Sequence, residues 1–114
     1  PSRELLNIEG SHSFLGGPNV RKFEADWAKL HEVEFAITMN SATSAASAVL
    51  MALDVGPGAE VITTPFSFTA TATSIVLANA IPVFADIDPE TFCLDPRSVE
   101  KLISPRTKAI MPVH

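Results

Sequence analysis

Between Phe35 and Thr71 the chain twice passes from a short apolar run, through a hydroxyl-rich loop, into a helical segment. Phe35–Met39 reads as β-type, ends in Asn40-Ser41-Ala42-Thr43, and leads into an alanine-rich helical stretch, Thr43–Leu53. After the turn Gly56-Pro57-Gly58, a second run, Glu60–Thr64, ends in Pro65-Phe66-Ser67-Phe68-Thr69. The first amides of a helix lack internal partners, so small and hydroxyl residues at a strand-to-helix junction suit a phosphate. A phenyl ring at the mouth of the neighbouring strand suits stacking on a flat group. Together the two loops point to a phosphorylated aromatic cofactor.

The rest of the chain repeats the alternation. Pro18 suits the first position of a helix, and Val20, Phe23, Trp27 and Leu30 recur at helical spacing up to about His31. A further helix is expected over Thr69–Ala78, a strand over Ile81–Ala85, and an outward turn at Asp86-Ile87-Asp88-Pro89. Asp95 is placed to cap a helix that opens on Pro96 and runs to about Ile103, and Ala109–Val113 reads as the last strand. Gly10, Gly16 and Gly17 mark turns in the N-terminal stretch. Strands alternating with helices through short loops imply an α/β fold, a mainly parallel sheet flanked by helices. The apolar runs lack polar alternation, which favours strands buried on both faces. The run Ala109–Val113 at the end of the chain leads us to expect the front part of a longer polypeptide.

Composition narrows the function classes. A chain of 114 residues, 46% hydrophobic and 18% charged, fits a globular protein of no more than one domain. The formal charge of −5 argues against a nucleic-acid or anionic-membrane partner. The weakly charged region Val61–Ala85 contains Pro65, Pro82 and many hydroxyl residues, so it does not read as a membrane span. The single cysteine, Cys93, excludes an internal disulfide and fits a reducing compartment, so the cytoplasm is expected.

Open parallel sheets bind ligands beyond the carboxyl ends of their strands. That rule selects Asn40–Thr43, Pro65–Thr69, Asp86–Asp88 and His114. Ser41-Ala42-Thr43 offers amides and a hydroxyl to a phosphate; an ordinary helix cap made by Ser41 or Thr43 is the alternative. No GxxxxGK[ST] or GxGxxG pattern is present, so a single phosphate is the inference. Phe66 and Phe68 are either lids on the core or a stacking platform. Asp86 and Asp88 resemble a paired-carboxylate site, but both precede a proline turn, where a structural role is the favoured reading. Cys93 lies between Phe92 and Leu94, without a histidine nearby, as a buried structural thiol would. No metal-ligand spacing occurs. Of the lysines, Lys22 and Lys29 lie on the first helix, Lys101 on the polar side of the last, and Lys108 before the final strand, so none suits a Schiff base. His12 and His31 read as surface or turn residues.

From about Gly16 to His114 the chain resembles the DegT/StrS-type family of pyridoxal-phosphate-dependent nucleotide-sugar aminotransferases. The blocks that carry the likeness are GGPNVRKFEADWAKLHEVEFAITMNSATSAASAVLMAL, VGPGAEVITTPFSFTATATSIVLANAIPVFADIDPETFCLDP and RTKAIMPVH, in that order. The resemblance implies that residues 1–114 are an N-terminal segment and the first part of the large domain of a fold-type I aminotransferase. It implies pyridoxal 5'-phosphate as cofactor, with Ala42 and Thr43 at the phosphate and Phe68, rather than Phe66, stacked on the ring. It further implies a nucleotide-linked keto sugar as substrate, glutamate as amino donor, and a homodimer. The family's Schiff-base lysine and pyridine-pairing aspartate match positions downstream of His114, so no catalytic residue is assigned and this segment alone should not transaminate. Some relatives carry histidine in place of that lysine and deoxygenate sugars, and this branch stays open. A non-catalytic α/β binding module is the reading from a different class.

Overall fold

The computed structural model describes residues 16–114; the turn expected at Gly10 and His12 lie outside them. The chain divides into two compact units that meet after Thr38.

In the first unit, α1 (Pro18–Leu30) opens on Pro18 and carries Lys29 in its last turn. Trp27 sits between two rings on one stripe, 5.6 Å from Phe23 and 4.6 Å from His31. Beyond the helix, the Glu24 carboxylate accepts both the amide (2.8 Å) and the hydroxyl (2.7 Å) of Thr38. Those two bonds hold the Glu24 carboxyl below its ordinary pKa, the amide contributing most.

The second unit contains α2 (Ala42–Ala52), β1 (Glu60–Thr63), α3 (Ala70–Leu77), β2 (Ile81–Phe84), α4 (Pro96–Leu102) and β3 (Thr107–Met111). Its sheet has the order β2-β1-β3, and both pairings are parallel. This matches the α/β expectation. The strand expected over Phe35–Met39 does not form; those residues join no ladder among the described residues. An apolar run becomes a strand only when a neighbour accepts its backbone groups, and here the polar contact goes sideways to Glu24 instead. Burial on both faces holds for β1, all four of whose residues are buried, while the outer strands β2 and β3 keep exposed positions.

The three longest helices end alike. Glu32, Asp54 and Asn79 take left-handed backbone conformations, with φ of 53°, 53° and 57°. In each case the next residue's amide reaches back five positions, Val33 to Ala28, Val55 to Leu50 and Ala80 to Ile75, closing a Schellman motif. In α2 and α3 the motif's hydrophobic contact becomes the core itself: Leu50, Val55, Val61, Ile75 and Ala80 form one buried cluster. That cluster lies at the amino edge of the sheet, where β1 and β2 begin. Glu60 is buried at the same edge, its carboxylate paired with Arg106 at 2.5 Å and accepting the Ser104 hydroxyl at 2.6 Å.

Candidate functional site

The arrangement of the core fixes the direction of two helices. α2 and α3 bring their carboxyl-terminal halves, through Leu50 and Ile75, to the cluster at the amino edge. Their amino ends therefore point to the opposite edge, where β1, β2 and β3 end. Eleven helical residues span about 16 Å and four strand residues about 13 Å, so the first turn of α2 reaches the level of the strand ends. The loop after β1, which holds Phe66 and Phe68, opens on this same carboxyl edge. The fold thus brings Ala42, Thr43 and Phe68 to one rim.

At the first turn of α2, Ser41 is the N-cap: its hydroxyl oxygen accepts the Ser44 amide at 3.1 Å, and its hydroxyl donates to Ser44 Oγ at 3.0 Å. The Thr43 carbonyl accepts the Ser47 hydroxyl at 3.1 Å. The cap is made by Ser41 and not by Thr43. The amides of Ala42 and Thr43 and the Thr43 hydroxyl have no hydrogen-bond partner among the described residues. All three positions are exposed, and no acidic side chain stands in the first turn. Free amides and a hydroxyl at the unneutralised positive end of a helix dipole fit a phosphate group.

In the loop after β1, the Phe66 amide donates to Thr64 Oγ1 at 3.0 Å, and Ser67 and Thr71 share a hydrogen bond at 2.9 Å. The two phenylalanines differ. Phe66 stacks on Phe92, with centroids 5.5 Å apart and planes 29° apart, whereas Phe68 is 80% exposed with no aromatic partner among the described residues. Neither ring is a lid on the core. An open ring face with a rigidly bonded loop behind it fits a flat, conjugated ligand.

The remaining candidates fall into other roles. Asp88 Oδ1 accepts the amides of Glu90 and Thr91, both at 2.9 Å, and Asp86 Oδ1 accepts the Ile87 amide. Hydrogen bonds from Thr91 and then Glu90 hold the Asp88 carboxyl below its usual range. Cys93 is a free, half-buried thiol. His114 follows β3 at the carboxyl edge and is exposed. Lys108 lies within β3, which starts two residues earlier than the apolar run Ala109–Val113 indicates, and Lys101 lines a shallow open hollow with Pro65, Ala85, Asp86 and Ser98. No cluster among the described residues has the makings of a metal site, and no helix is long and apolar enough to cross a membrane. Sequence reasoning did not pair Phe92 with Phe66, a contact that only the structure shows.

Known proteins resemble the chain closely over this whole region. It is 46% identical over 98 residues to the spore coat polysaccharide biosynthesis protein SpsC of Bacillus subtilis, covering 86% of this chain and 25% of that protein. It is 46% identical over 100 residues to the UDP-2-acetamido-2-deoxy-3-oxo-D-glucuronate aminotransferase of Pseudomonas aeruginosa, covering 88% of this chain and 28% of that one. The structure of NtdA from Bacillus subtilis with bound cofactor PMP superposes with a TM-score of 0.83 at 38% identity, over 87% of this chain and 23% of NtdA. The chain thus spans about a quarter of the length of the relatives it matches. Residues 2–114 match the family model throughout, and the chain belongs to the DegT/DnrJ/EryC1/StrS aminotransferase family.

Proposed function

We propose that these residues are the N-terminal segment and the first part of the cofactor-binding large domain of a pyridoxal-phosphate-dependent aminotransferase acting on a nucleotide-linked keto sugar. The observation that carries the reading is the shared rim: free amides at Ala42 and Thr43, and the open Phe68 ring on the adjacent loop. Relatives named for amination of a UDP-linked 3-oxo sugar acid and for spore coat polysaccharide synthesis support the substrate class. Glutamate is the amino donor in this reading, and the complete enzyme is a cytoplasmic homodimer that makes sugars for polysaccharides or antibiotics.

In this mechanism the α2 amides and the Thr43 hydroxyl bind the phosphate and anchor one end of the cofactor. The exposed Phe68 ring would stack on the pyridine and keep water from the face it covers. The bound cofactor supplies the electron sink that lets an amino group move between donor and sugar. Ser41 holds the helix end rigid, so the phosphate amides are pre-aligned rather than ordered on binding. The proton-transfer residue of this reading is a lysine C-terminal to His114. Reducing the complete, cofactor-loaded protein with borohydride and mapping the peptides tests it: the expected product is a pyridoxyl-lysine beyond His114. Cofactor binding without any lysine adduct would transfer the protein to the histidine-bearing sugar dehydratase branch, and absence of cofactor binding would leave a non-catalytic module.

A further inference from the structure

The loop between β2 and α4 places a phenylalanine where turn chemistry normally asks for glycine or asparagine. Phe92 has φ of +60°. A bulky side chain enters the left-handed region rarely, and only when its surroundings over-determine it. Here they do. The Phe92 amide donates to the Asp88 carbonyl at 2.8 Å, and the Asp88 amide donates to the Cys93 carbonyl at 2.9 Å. Asp88 Oδ1 gathers the amides of Glu90 and Thr91, while Ile87 and Leu94 close the base of the loop by an antiparallel bridge. This frame pushes the Phe92 ring outward, 56% exposed, onto the face of Phe66. Cover for the core does not explain it, because neither ring is buried.

We infer that Phe92 is a positioning residue: stacked on Phe66, it holds the loop Pro65–Thr69 in the form that presents Phe68 to the cofactor. The inference rests on the proposed role of Phe68. Phe66 is two residues from Phe68, and its own amide is tied back to Thr64, which is buried at the end of β1. The Phe68 carbonyl in turn accepts the Thr71 amide at the start of α3. The loop is therefore tied at both ends by hydrogen bonds to its near neighbours in sequence, and the Phe92 stack reaches its middle from another element.

The test uses the complete protein with Phe92→Asn, which removes the ring but suits a positive φ, and Phe92→Tyr, which keeps the ring. Two quantities are read: hydrogen exchange of the Phe66–Thr69 amides without cofactor, and the Kd for pyridoxal phosphate by absorbance titration. Phe92→Asn should speed loop exchange and weaken cofactor binding, each about fivefold, the usual worth of one aromatic pair. Global stability should fall only slightly, since asparagine suits the left-handed backbone while the aromatic pair is lost, and Phe92→Tyr should restore both quantities. In a Phe68→Ala background, Phe92→Asn should leave Kd where Phe68→Ala already put it. Unchanged loop exchange in Phe92→Asn would overturn the inference, as would an equal loss of affinity with and without Phe68. If Phe68→Ala alone leaves Kd unchanged, the stacking role of Phe68 is what fails, and the exchange data still decide whether Phe92 holds the loop.

Discussion

Replacing each of the two loop phenylalanines with alanine should separate ligand contact from scaffold. Phe68 is 80% exposed, so only a fifth of its surface is covered by protein. A phenylalanine buries about 200 Å² when fully enclosed, so Phe68→Ala forfeits about 40 Å², or about 1 kcal/mol as an upper bound. Phe66 is 60% exposed and also holds the Phe92 stack. Its truncation removes about 80 Å², about 2 kcal/mol, plus about 1 kcal/mol for the aromatic pair. Urea unfolding of the cofactor-free protein should therefore show Phe66→Ala destabilised by about 3 kcal/mol and Phe68→Ala by no more than about 1 kcal/mol. Cofactor titration should show Phe68→Ala weakened about fivefold through the lost stack alone. If Phe68→Ala costs as much stability as Phe66→Ala, the ring is an anchor of the fold. If its affinity is unchanged at normal stability, the wrong ring has been assigned to the cofactor.

Further outcomes follow from the geometry. Leu50, 1% exposed within the core cluster, should cost about 2–5 kcal/mol on replacement by alanine, read as a lowered urea midpoint; a loss below 1 kcal/mol would mean that the site collapses around the gap. Ser41→Ala should cost about 1 kcal/mol through the lost bond to the Ser44 amide. Ser41→Asp should keep the cap but weaken phosphate binding by about 1 kcal/mol, because a carboxylate then faces the phosphate; equal cofactor affinity in Ser41→Asp and the parent would argue against the α2 end as the phosphate site. The Asp88 loop should open on acidification: its carboxyl titrates below the ordinary value in the folded state, so its stabilisation is complete above that value and is lost as pH falls through the lowered one. The Glu90 and Thr91 amide shifts should report that opening by NMR, and Asp88→Asn, which keeps an acceptor without titrating, should abolish the pH dependence.

Three helix beginnings were legible because they are written in local chemistry: Pro18 and Pro96 at first positions, Asp95 accepting the Arg97 amide, Ser41 accepting that of Ser44; α3 carries no such mark, its N-cap Thr69 making no side-chain bond. Helix ends were less so. Glu32, Asp54 and Asn79 occupy left-handed positions without a glycine among them, and only the reach-back bonds reveal the Schellman closure. Strand limits depend on partners that a linear reading does not contain. β3 begins at Thr107, ahead of the apolar run, because Thr107 pairs with Glu60, and backbone pairing is indifferent to the polarity of Thr107 and Lys108. The same indifference works against Phe35–Met39, apolar but unladdered. Among the residues proposed for the site, Ala42, Thr43 and Phe68 were accessible through junction composition and family likeness. Phe92 was not, since a left-handed phenylalanine is created by the Asp88 turn and contradicts its own propensity.

The two ends of α2 carry separable tasks. Its carboxyl-terminal half supplies Leu50 to the core at the amino edge, and its first turn presents Ala42 and Thr43 at the opposite rim. Leu50 stands eight positions, about 12 Å of helix, beyond Ala42. A helix transmits position along its axis well, so the core fixes where the amides stand without touching them. α3 repeats the device, with Ile75 in the core and the Phe68 loop at its amino end. Because α2 and α3 meet in one cluster, the Ala42–Thr43 amides and the Phe68 loop, proposed above as phosphate and ring contacts, are registered against each other by packing in the core. Substitution in that cluster should therefore lower stability while leaving the intrinsic cofactor Kd of the folded fraction unchanged, and substitution at the rim should do the reverse. A Leu50→Ala protein that folds but binds cofactor several-fold more weakly would show that the amino-edge core also tunes the rim, and that the helices bend rather than hold as rods.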